Sequence, residues 1–171
     1  HARIQRCCTQ WCQVADLLYL WLLHEYGGIC FDIDSYTLRT FDDLLDHGPA
    51  FTSRHSGDDR RLTNGVLASE PHSPAMKRCL ENVFSFPMRP AKRCAFGPDL
   101  LTTLFSHEGV EMRVLPWHYF YPYCYSEREE ALKATQDPSR LDAIKDRFWD
   151  GIRPYAIHLW GVDGSSHAKK D

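Results

Sequence analysis

Two aspartates, Asp32 and Asp34, stand at the end of an apolar run and are separated by a single residue. The run at residues 29–31 predicts a buried strand, and in an extended chain residues i and i+2 point to the same side about 6.6 Å apart. Both carboxylates are therefore expected to face one point at the carboxyl end of a strand, where open α/β sheets bind ligands. Two such carboxylates repel each other unless a divalent cation lies near them. Oxygen ligands suit Mg²⁺ or Mn²⁺, and an added imidazole favours Mn²⁺.

The same tripeptide has a plainer interpretation. The pattern D-x-D is common by chance, and Asp34 could simply cap the turn that follows a solvated strand end. The spacing alone favours this second interpretation, so the choice between the two depends on the residues that surround the pair.

The first half of the chain predicts the elements that position these aspartates. Residues 13–26 are apolar around most of a helical circumference and predict a buried helix, which Gly27-Gly28 would end. Residues 28–33 predict a central strand that is covered on both faces. Residues 37–48 have a helical period, whereas residues 52–62 are polar and turn-rich and predict a mobile surface loop.

The second half continues the alternation of strands and helices. Ser73 and Pro74 are typical of the N-cap and first residue of a helix, here predicted to reach residue 86. The other predicted elements are buried strands at residues 64–69, 111–116 and 155–161, a helix after Gly97-Pro98, and a charged helical stretch that breaks at Asp137-Pro138 and ends at residue 150. This alternation predicts an α/β sandwich. We expect one domain over residues 1–171, because no linker or repeat divides the chain.

Composition argues against several classes of function. The net charge of −3 does not suit a general nucleic-acid-binding protein, which uses a basic face. No segment reaches the roughly 20 apolar residues that a membrane span requires. The seven cysteines lack zinc-ribbon spacing, and the sequence leaves open whether they form one or two disulfides or stay as buried thiols.

The residues around the aspartate pair, ADLLYLWLLHEYGGICFDIDSYTLRTFDDLL at 15–45, resemble the DxD sugar-binding region of glycosyltransferases. That group includes the Golgi α-mannosyl- and α-galactosyltransferases and their bacterial capsule relatives. The resemblance is far more specific than D-x-D, because ten positions match at the family's spacing: Asp16, Leu17, Leu18, Leu23, Tyr26, Gly27, Gly28, Ile29, Asp32 and Asp34.

The resemblance implies a GT-A-like nucleotide-diphospho-sugar transferase fold, in which helices flank a mixed sheet. The N-terminal strand that grips the nucleotide base in that family would precede residue 1, so we expect a truncated piece of a single catalytic domain. The implied activity is metal-dependent, retaining hexosyl transfer from a nucleotide-diphospho-sugar donor to a glycan, glycolipid or glycoprotein acceptor. Mn²⁺ or Mg²⁺ would be the cofactor. The implied compartment is the Golgi lumen in a eukaryote or the cytoplasm in a bacterium.

The matched positions also imply roles for single residues. Asp32 matches the catalytic aspartate that bridges donor and metal, and Asp34 matches the one that binds the metal directly. Asp16 matches the acidic residue that contacts the sugar or ribose of the donor, although a carboxylate in the first turn of a helix is also stabilised by the helix dipole. Asn64, in NGVLASEPHSP, matches a residue on the donor side.

Three further positions complete the implied site. His158 and Trp160, in AIHLWG, resemble the late H-x-W of these enzymes, where the histidine approaches the metal and the tryptophan lies near the donor diphosphate. Tyr19 occupies a donor-binding position where most relatives carry arginine after D-L-L. This departure removes a contact to phosphate or sugar.

Two other functions compete with transfer. Asp32 and Asp34 could be the acid and base of a hydrolase, although adjacent i, i+2 positions face each other poorly across a cleft. Alternatively, the chain is a degenerate member that keeps the fold and binds without transferring, which the loss of arginine at Tyr19 favours. The aromatic run at residues 117–125 indicates either a sugar-stacking acceptor platform or ordinary core packing.

Overall fold

The structure, a computed structural model, describes residues 8, 10–46, 48–56, 58–83, 94–144 and 153–161. Helices and strands are mixed along these residues but do not strictly alternate as predicted, because four strands follow one another between the first two helices. In chain order they are α1 (Trp11–Tyr26), β1 (Gly28–Phe31), β2 (Ser35–Thr37), β3 (Ala50–His55), β4 (Asp58–Ser69), α2 (Pro74–Val83), α3 (Pro98–His107), β5 (Arg113–Leu115), α4 (Arg128–Thr135), α5 (Pro138–Ile144) and β6 (Ala156–His158). Short 3₁₀ turns lie at Asp42–Leu44, Trp117–Tyr119 and Tyr125–Glu127.

Four of the strands form a mixed sheet in the order β1-β4-β3-β5. β4 pairs antiparallel with both β1 and β3, whereas β5 runs parallel to β3. β2 and β6 form a separate antiparallel pair. α1 and α3 pack against β4, and α2 packs against α1. The fold is therefore α/β, with a mixed sheet flanked by helices.

The central strand β4 supports two cores, because successive residues of a strand face opposite sides. Leu67 faces the helices and packs in a core with Leu20 of α1 and Leu101 of α3. Its neighbours Val66 and Ala68 face the other side and enter a core rich in aromatic rings, together with Leu44, Phe51, Leu115, Phe120, Tyr121, Tyr155 and Ala156. Asp32, Asp34 and His158 form a cluster, here called the acidic site, that lies beside this aromatic core.

The helix predicted at residues 13–26 is confirmed as α1. It begins slightly earlier, at Trp11, and ends where Gly27 adopts a φ of 67° and donates its N–H to the Leu23 carbonyl at 3.0 Å. Within the described residues, no helix combines the length and the apolar composition that a membrane crossing needs.

The other predicted helices and strands are confirmed in type. The N–H of Met76 donates to the hydroxyl of Ser73 at 3.3 Å, as expected of an N-cap before α2. The charged stretch is broken between α4 and α5 at Asp137-Pro138. Residues 84–86 and 145–150, which were also predicted to be helical, lie outside the described residues.

The prediction of a surface loop at residues 52–62 is wrong, because residues 52–55 belong to β3 and residues 58–62 to β4. Thr52 and Ser53 are fully buried despite their polar side chains. The Thr52 hydroxyl donates to the main-chain carbonyls of Thr63 at 2.5 Å and Val66 at 3.2 Å, next to an irregularity in the β3–β4 register. A hydroxyl satisfied in this way can occupy a central strand, and composition alone did not indicate it.

The helix predicted over residues 37–48 is also wrong. Ser35–Thr37 form β2, and only Asp42–Leu44 make a short 3₁₀ turn. The pairing of β2 with β6 and the complete burial of Leu44 in the aromatic core account for the difference, since tertiary contacts override a weak local period. The strand predicted at residues 28–33 ends earlier, at Phe31, and within the described residues it lies at the edge of the sheet rather than at its centre as predicted.

Gly27 should tolerate no side chain. Its ψ of −164° lies in a region that is almost exclusive to glycine, and a Cβ would lie 2.6 Å from Pro71 Cδ and 2.9 Å from the Ser69 carbonyl oxygen. We expect Gly27→Ala to lower the free energy of unfolding by roughly 2–4 kcal/mol, from strain together with overpacking. Urea denaturation measures this change.

Gly109→Ala is the control for this prediction. Gly109 also has a positive φ, of 64°, but no atom lies within 4 Å of its Cβ position. We therefore expect a smaller loss, of about 1–2 kcal/mol, from backbone strain alone. Equal losses in the two variants would contradict the role of the Pro71 contact.

Candidate active site

Three of the predicted site residues come together at one point. The Nε2 atom of His158 lies 3.3 Å from Asp32 Oδ2 and 3.3 Å from Asp34 Oδ1. One ligand atom from each residue lies within 4.8 Å of the other two. Two carboxylates and an imidazole at this separation form a candidate metal centre.

The aspartates lie directly after the carboxyl end of β1, as predicted, in the turn that joins β1 to β2. The N–H of Asp32 donates to the Gly65 carbonyl at 3.0 Å, which extends the β1–β4 ladder by one bond. Ile33, between the two aspartates, is 98% exposed and points away from the pair. The turn therefore directs both carboxylates to the same side, as the i, i+2 spacing predicted, although the local conformation differs.

The chain after β6 wraps around Asp34. The N–H of Leu159 donates to the Asp34 main-chain carbonyl at 2.8 Å, and the N–H of Gly161 donates to its carboxylate Oδ2 at 2.7 Å. Between them, the N–H of Trp160 donates to His158 Nδ1 at 3.1 Å. Trp160 has a φ of 57°, which is rare for a bulky side chain. The turn thus leaves His158 Nε2 and Asp34 Oδ1 facing each other.

The three side chains of the site differ in their exposure to solvent. The side chain of Asp32 is 40% exposed, that of Asp34 is 18% exposed, and that of His158 is 10% exposed. Carboxylate oxygens suit Mg²⁺ and Mn²⁺, and the imidazole nitrogen favours Mn²⁺. The donor set and its spacing therefore fit the divalent cation that the resemblance implies.

Tyr19 lies beside the strand that leads to the aspartates. Its hydroxyl donates to the Phe31 carbonyl at 3.0 Å. Burial raises the pKa of Tyr19 to about 12, with further contributions from the charges of Asp32, Cys30, Asp16 and Asp34. The phenol is thus a neutral hydrogen-bond donor among three carboxylates.

Asp16 and Asn64 form a hydrogen-bonded pair near the acidic site. Asn64 Nδ2 donates to Asp16 Oδ1 at 2.5 Å. Gly97 packs against this amide so closely that a Cβ there would lie 2.6 Å from Asn64 Nδ2. Because α1 begins at Trp11, Asp16 lies beyond the first helical turn, and the explanation of its charge by the helix dipole is wrong.

Four rings surround the indole of Trp160, and sequence reasoning did not single out most of them. The ring centroids of His158, Tyr121, His55 and Tyr125 lie 4.6, 5.7, 5.8 and 6.0 Å from it. Phe120, Tyr121 and Tyr123 are buried, whereas Tyr125 is 54% exposed. The aromatic run at residues 117–125 is therefore mainly core packing, and only its last tyrosine faces solvent.

The described cysteines bear on the question of disulfides. Cys30, Cys79, Cys94 and Cys124 are free thiols. Cys7 lies outside the described residues. Of the two alternatives, the structure therefore gives these four residues thiols rather than disulfides.

Comparison with curated proteins finds distant relatives. Over 79 residues, 42% of this chain, it is 35% identical to glucan organizing enzyme 1 of Cryptococcus neoformans var. grubii, of which it covers 22%. Over 161 residues, 86% of the chain, it is 26% identical to inositol phosphoceramide mannosyltransferase 3 of Schizosaccharomyces pombe, of which it covers 42%. No protein-family model matches the chain. The chain spans less than half the length of these two relatives, of which the second is named as a mannosyltransferase.

The raised pKa of Tyr19 predicts a loss of stability at alkaline pH. In the unfolded chain the phenol loses its proton near pH 10, whereas in the folded chain it keeps it until about pH 12. Folding is therefore disfavoured as the pH rises from 10 to 12. We expect Tyr19→Phe to flatten the fall in the urea midpoint across this interval, whereas Tyr26→Phe, at a tyrosine that is 70% exposed, should not. An unchanged slope in Tyr19→Phe would contradict this assignment.

Proposed function

We propose that this chain is the donor-binding part of a metal-dependent glycosyltransferase, which moves a hexose from a nucleotide-diphospho-sugar to an acceptor hydroxyl with retention. The observation that carries the proposal is the meeting of Asp32, Asp34 and His158 at 3.3 Å. The names of the relatives support the same class of enzyme, as does the resemblance of residues 15–45 to the DxD sugar-binding region.

The acidic group would hold the cation. Asp32 and Asp34 supply carboxylate oxygens, and His158 supplies Nε2 as the third ligand. Mn²⁺ or Mg²⁺ at this position would neutralise the negative charge that develops on the leaving nucleotide diphosphate. Asp32, the most exposed of the three, is the residue that can also reach the donor.

The pair of Asp16 and Asn64 would orient the donor. Asn64 holds one oxygen of Asp16 at 2.5 Å, so the direction of the carboxylate is set before a donor binds. A carboxylate in a fixed orientation can accept hydrogen bonds from sugar or ribose hydroxyls. Trp160 and Tyr19 would line the donor-binding side, with Tyr19 contributing no positive charge there.

The relatives also suggest which substrates to try first. The Schizosaccharomyces pombe relative is named as a mannosyltransferase of inositol phosphoceramide. We therefore propose a mannosyl donor and a glycolipid acceptor as the first pair to test, ahead of glycan and glycoprotein acceptors.

A carboxylate-pair hydrolase fits the geometry less well. The acid and base of a glycosidase flank the scissile bond, with the carboxyl groups about 5–5.5 or 6.5–9.5 Å apart across a cleft. Here Asp32 and Asp34 lie on the same side and converge on one imidazole. They are placed to share a cation rather than to enclose a glycosidic bond.

The decisive experiment measures hydrolysis and transfer of a panel of nucleotide-diphospho-sugars by the full-length protein, with Mn²⁺ and with chelator. We expect release of nucleotide diphosphate that requires the cation. Turnover that chelator does not reduce would favour the hydrolase, and donor binding without turnover would favour a degenerate binding domain.

Asp34→Asn tests the metal site directly. We expect cation-dependent turnover to fall at least ~100-fold, by analogy with removal of one preorganised stabilising group. The thermal midpoint of the metal-free protein should change little or rise, because the amide oxygen can still accept the Gly161 N–H and the repulsion between carboxylates is removed.

The exposed Asp142 provides the control, since Asp142→Asn removes the same charge from α5, outside the acidic group. This variant should keep full turnover. Retained metal-dependent turnover in Asp34→Asn would remove Asp34 from the site, and a large fall in its metal-free midpoint would show that its role is structural.

A further inference from the structure

Tyr121 is a buried tyrosine that reaches the acidic site with both its ring and its hydroxyl. The side chain is 3% exposed. Its ring centroid lies 5.4 Å from that of His158 and 5.7 Å from that of Trp160. Its hydroxyl forms a hydrogen bond of 2.8 Å with the hydroxyl of Thr63 on β4. The ring thus lies beside the imidazole, and Thr63 holds the hydroxyl in place.

Gly65 marks the place where this hydroxyl approaches Asp32. A Cβ at Gly65 would lie 2.5 Å from Tyr121 Oη and 2.9 Å from Asp32 Oδ2. The Gly65 carbonyl also accepts the N–H of Asp32 at 3.0 Å. The phenol and the carboxylate therefore both occupy the space that a side chain at this position would need.

The charges agree with this geometry. Burial raises the pKa of Tyr121, the hydroxyls of Thr63 and Ser53 oppose the rise, and Asp32 and Asp34 add to it. The phenol consequently stays neutral beside the carboxylates. A neutral hydroxyl can pack there without cancelling the negative charge that attracts a cation.

We infer that Tyr121 is a positioning residue of the acidic site. Its ring supports the imidazole of His158, and its hydroxyl, held by Thr63, keeps the carboxylate of Asp32 from turning away over Gly65. The inference rests on the proposed function, because a fixed spacing of these ligand atoms matters only if they bind a cation.

The test is the affinity of the full-length protein for Mn²⁺ without donor, measured by electron paramagnetic resonance of the free ion. We expect Tyr121→Phe to raise the Kd about tenfold or more, the range found when groups that orient metal ligands are removed. Tyr155→Phe is the matched control, because it deletes a hydroxyl that bonds Asp43 at 2.6 Å, outside the acidic group. Its Kd should equal that of the wild type.

A double-mutant cycle with Gly65→Ala separates positioning from general damage. Alone, Gly65→Ala should weaken Mn²⁺ binding strongly, because the added Cβ overlaps both Tyr121 and Asp32. In the Tyr121→Phe background the closer of the two contacts is absent, so the same substitution should weaken binding by a smaller factor. Such non-additivity is expected of residues that are in contact or share a hydrogen-bond network or cavity, and not of distant, independent sites.

Each outcome decides the inference. If the wild type does not bind Mn²⁺, or if Asp34→Asn binds it equally well, the metal site and the role of Tyr121 both fall. If the wild type binds Mn²⁺ but Tyr121→Phe behaves like Tyr155→Phe, only the role of Tyr121 is overturned. Should Tyr121→Phe not fold, Thr63→Val removes the anchor and keeps the tyrosine, and an unchanged Kd in that variant overturns the inference.

Discussion

The pairing of β2 with β6 is the interaction on which the site depends. It places Ser35 opposite His158, so Asp34, the residue before Ser35, lies beside an imidazole that is distant in sequence. A shift of one residue in this register would turn His158 to the other face. A pair of three-residue strands cannot hold its register alone. The full burial of Ile157, opposite Tyr36, supplies the missing stability, so core packing behind the site determines the spacing of the Asp34 and His158 side chains.

Two glycines shape the site because they carry no side chain. Gly65 lets Tyr121 and Asp32 approach the same point, and Gly97 lets α3 begin directly against the amide of Asn64. At both positions, the nearest atoms belong to residues that the site uses rather than to the backbone. The two glycines lie in different elements, β4 and the residue before α3. Because the chain packs closely at these two glycines, the sheet and helices hold the side chains of Asp32 and Asp16 in fixed positions.

The sequence predicted the elements whose signals are local. The end of α1 and the start of α2 followed from hydrophobic period, a terminal glycine and an N-cap, all of which act within a few residues. The strands around Thr52 were missed because a buried hydroxyl is tolerated only through acceptors that tertiary structure supplies. The convergence of His158 with the aspartates was expected from the resemblance, not from periodicity. Tyr121 could not be distinguished from its aromatic neighbours, because its position matters only in relation to Thr63 and Gly65.

Hydrogen bonds from the surrounding chain explain how the two aspartates can remain close together in the proposed metal site. The Asp34 carboxylate accepts a hydrogen bond from the Gly161 N–H, and its other oxygen lies 3.3 Å from His158 Nε2. Hydrogen bonds from neutral donors stabilise a carboxylate without cancelling its charge. Tyr19 extends this arrangement, because a neutral phenol occupies the position where the resembled family carries arginine. A guanidinium there would itself attract a diphosphate and would compete with a divalent cation for the same carboxylates. Under the proposed function, attraction of a diphosphate would therefore depend on the cation in the acidic site, because the phenol carries no positive charge.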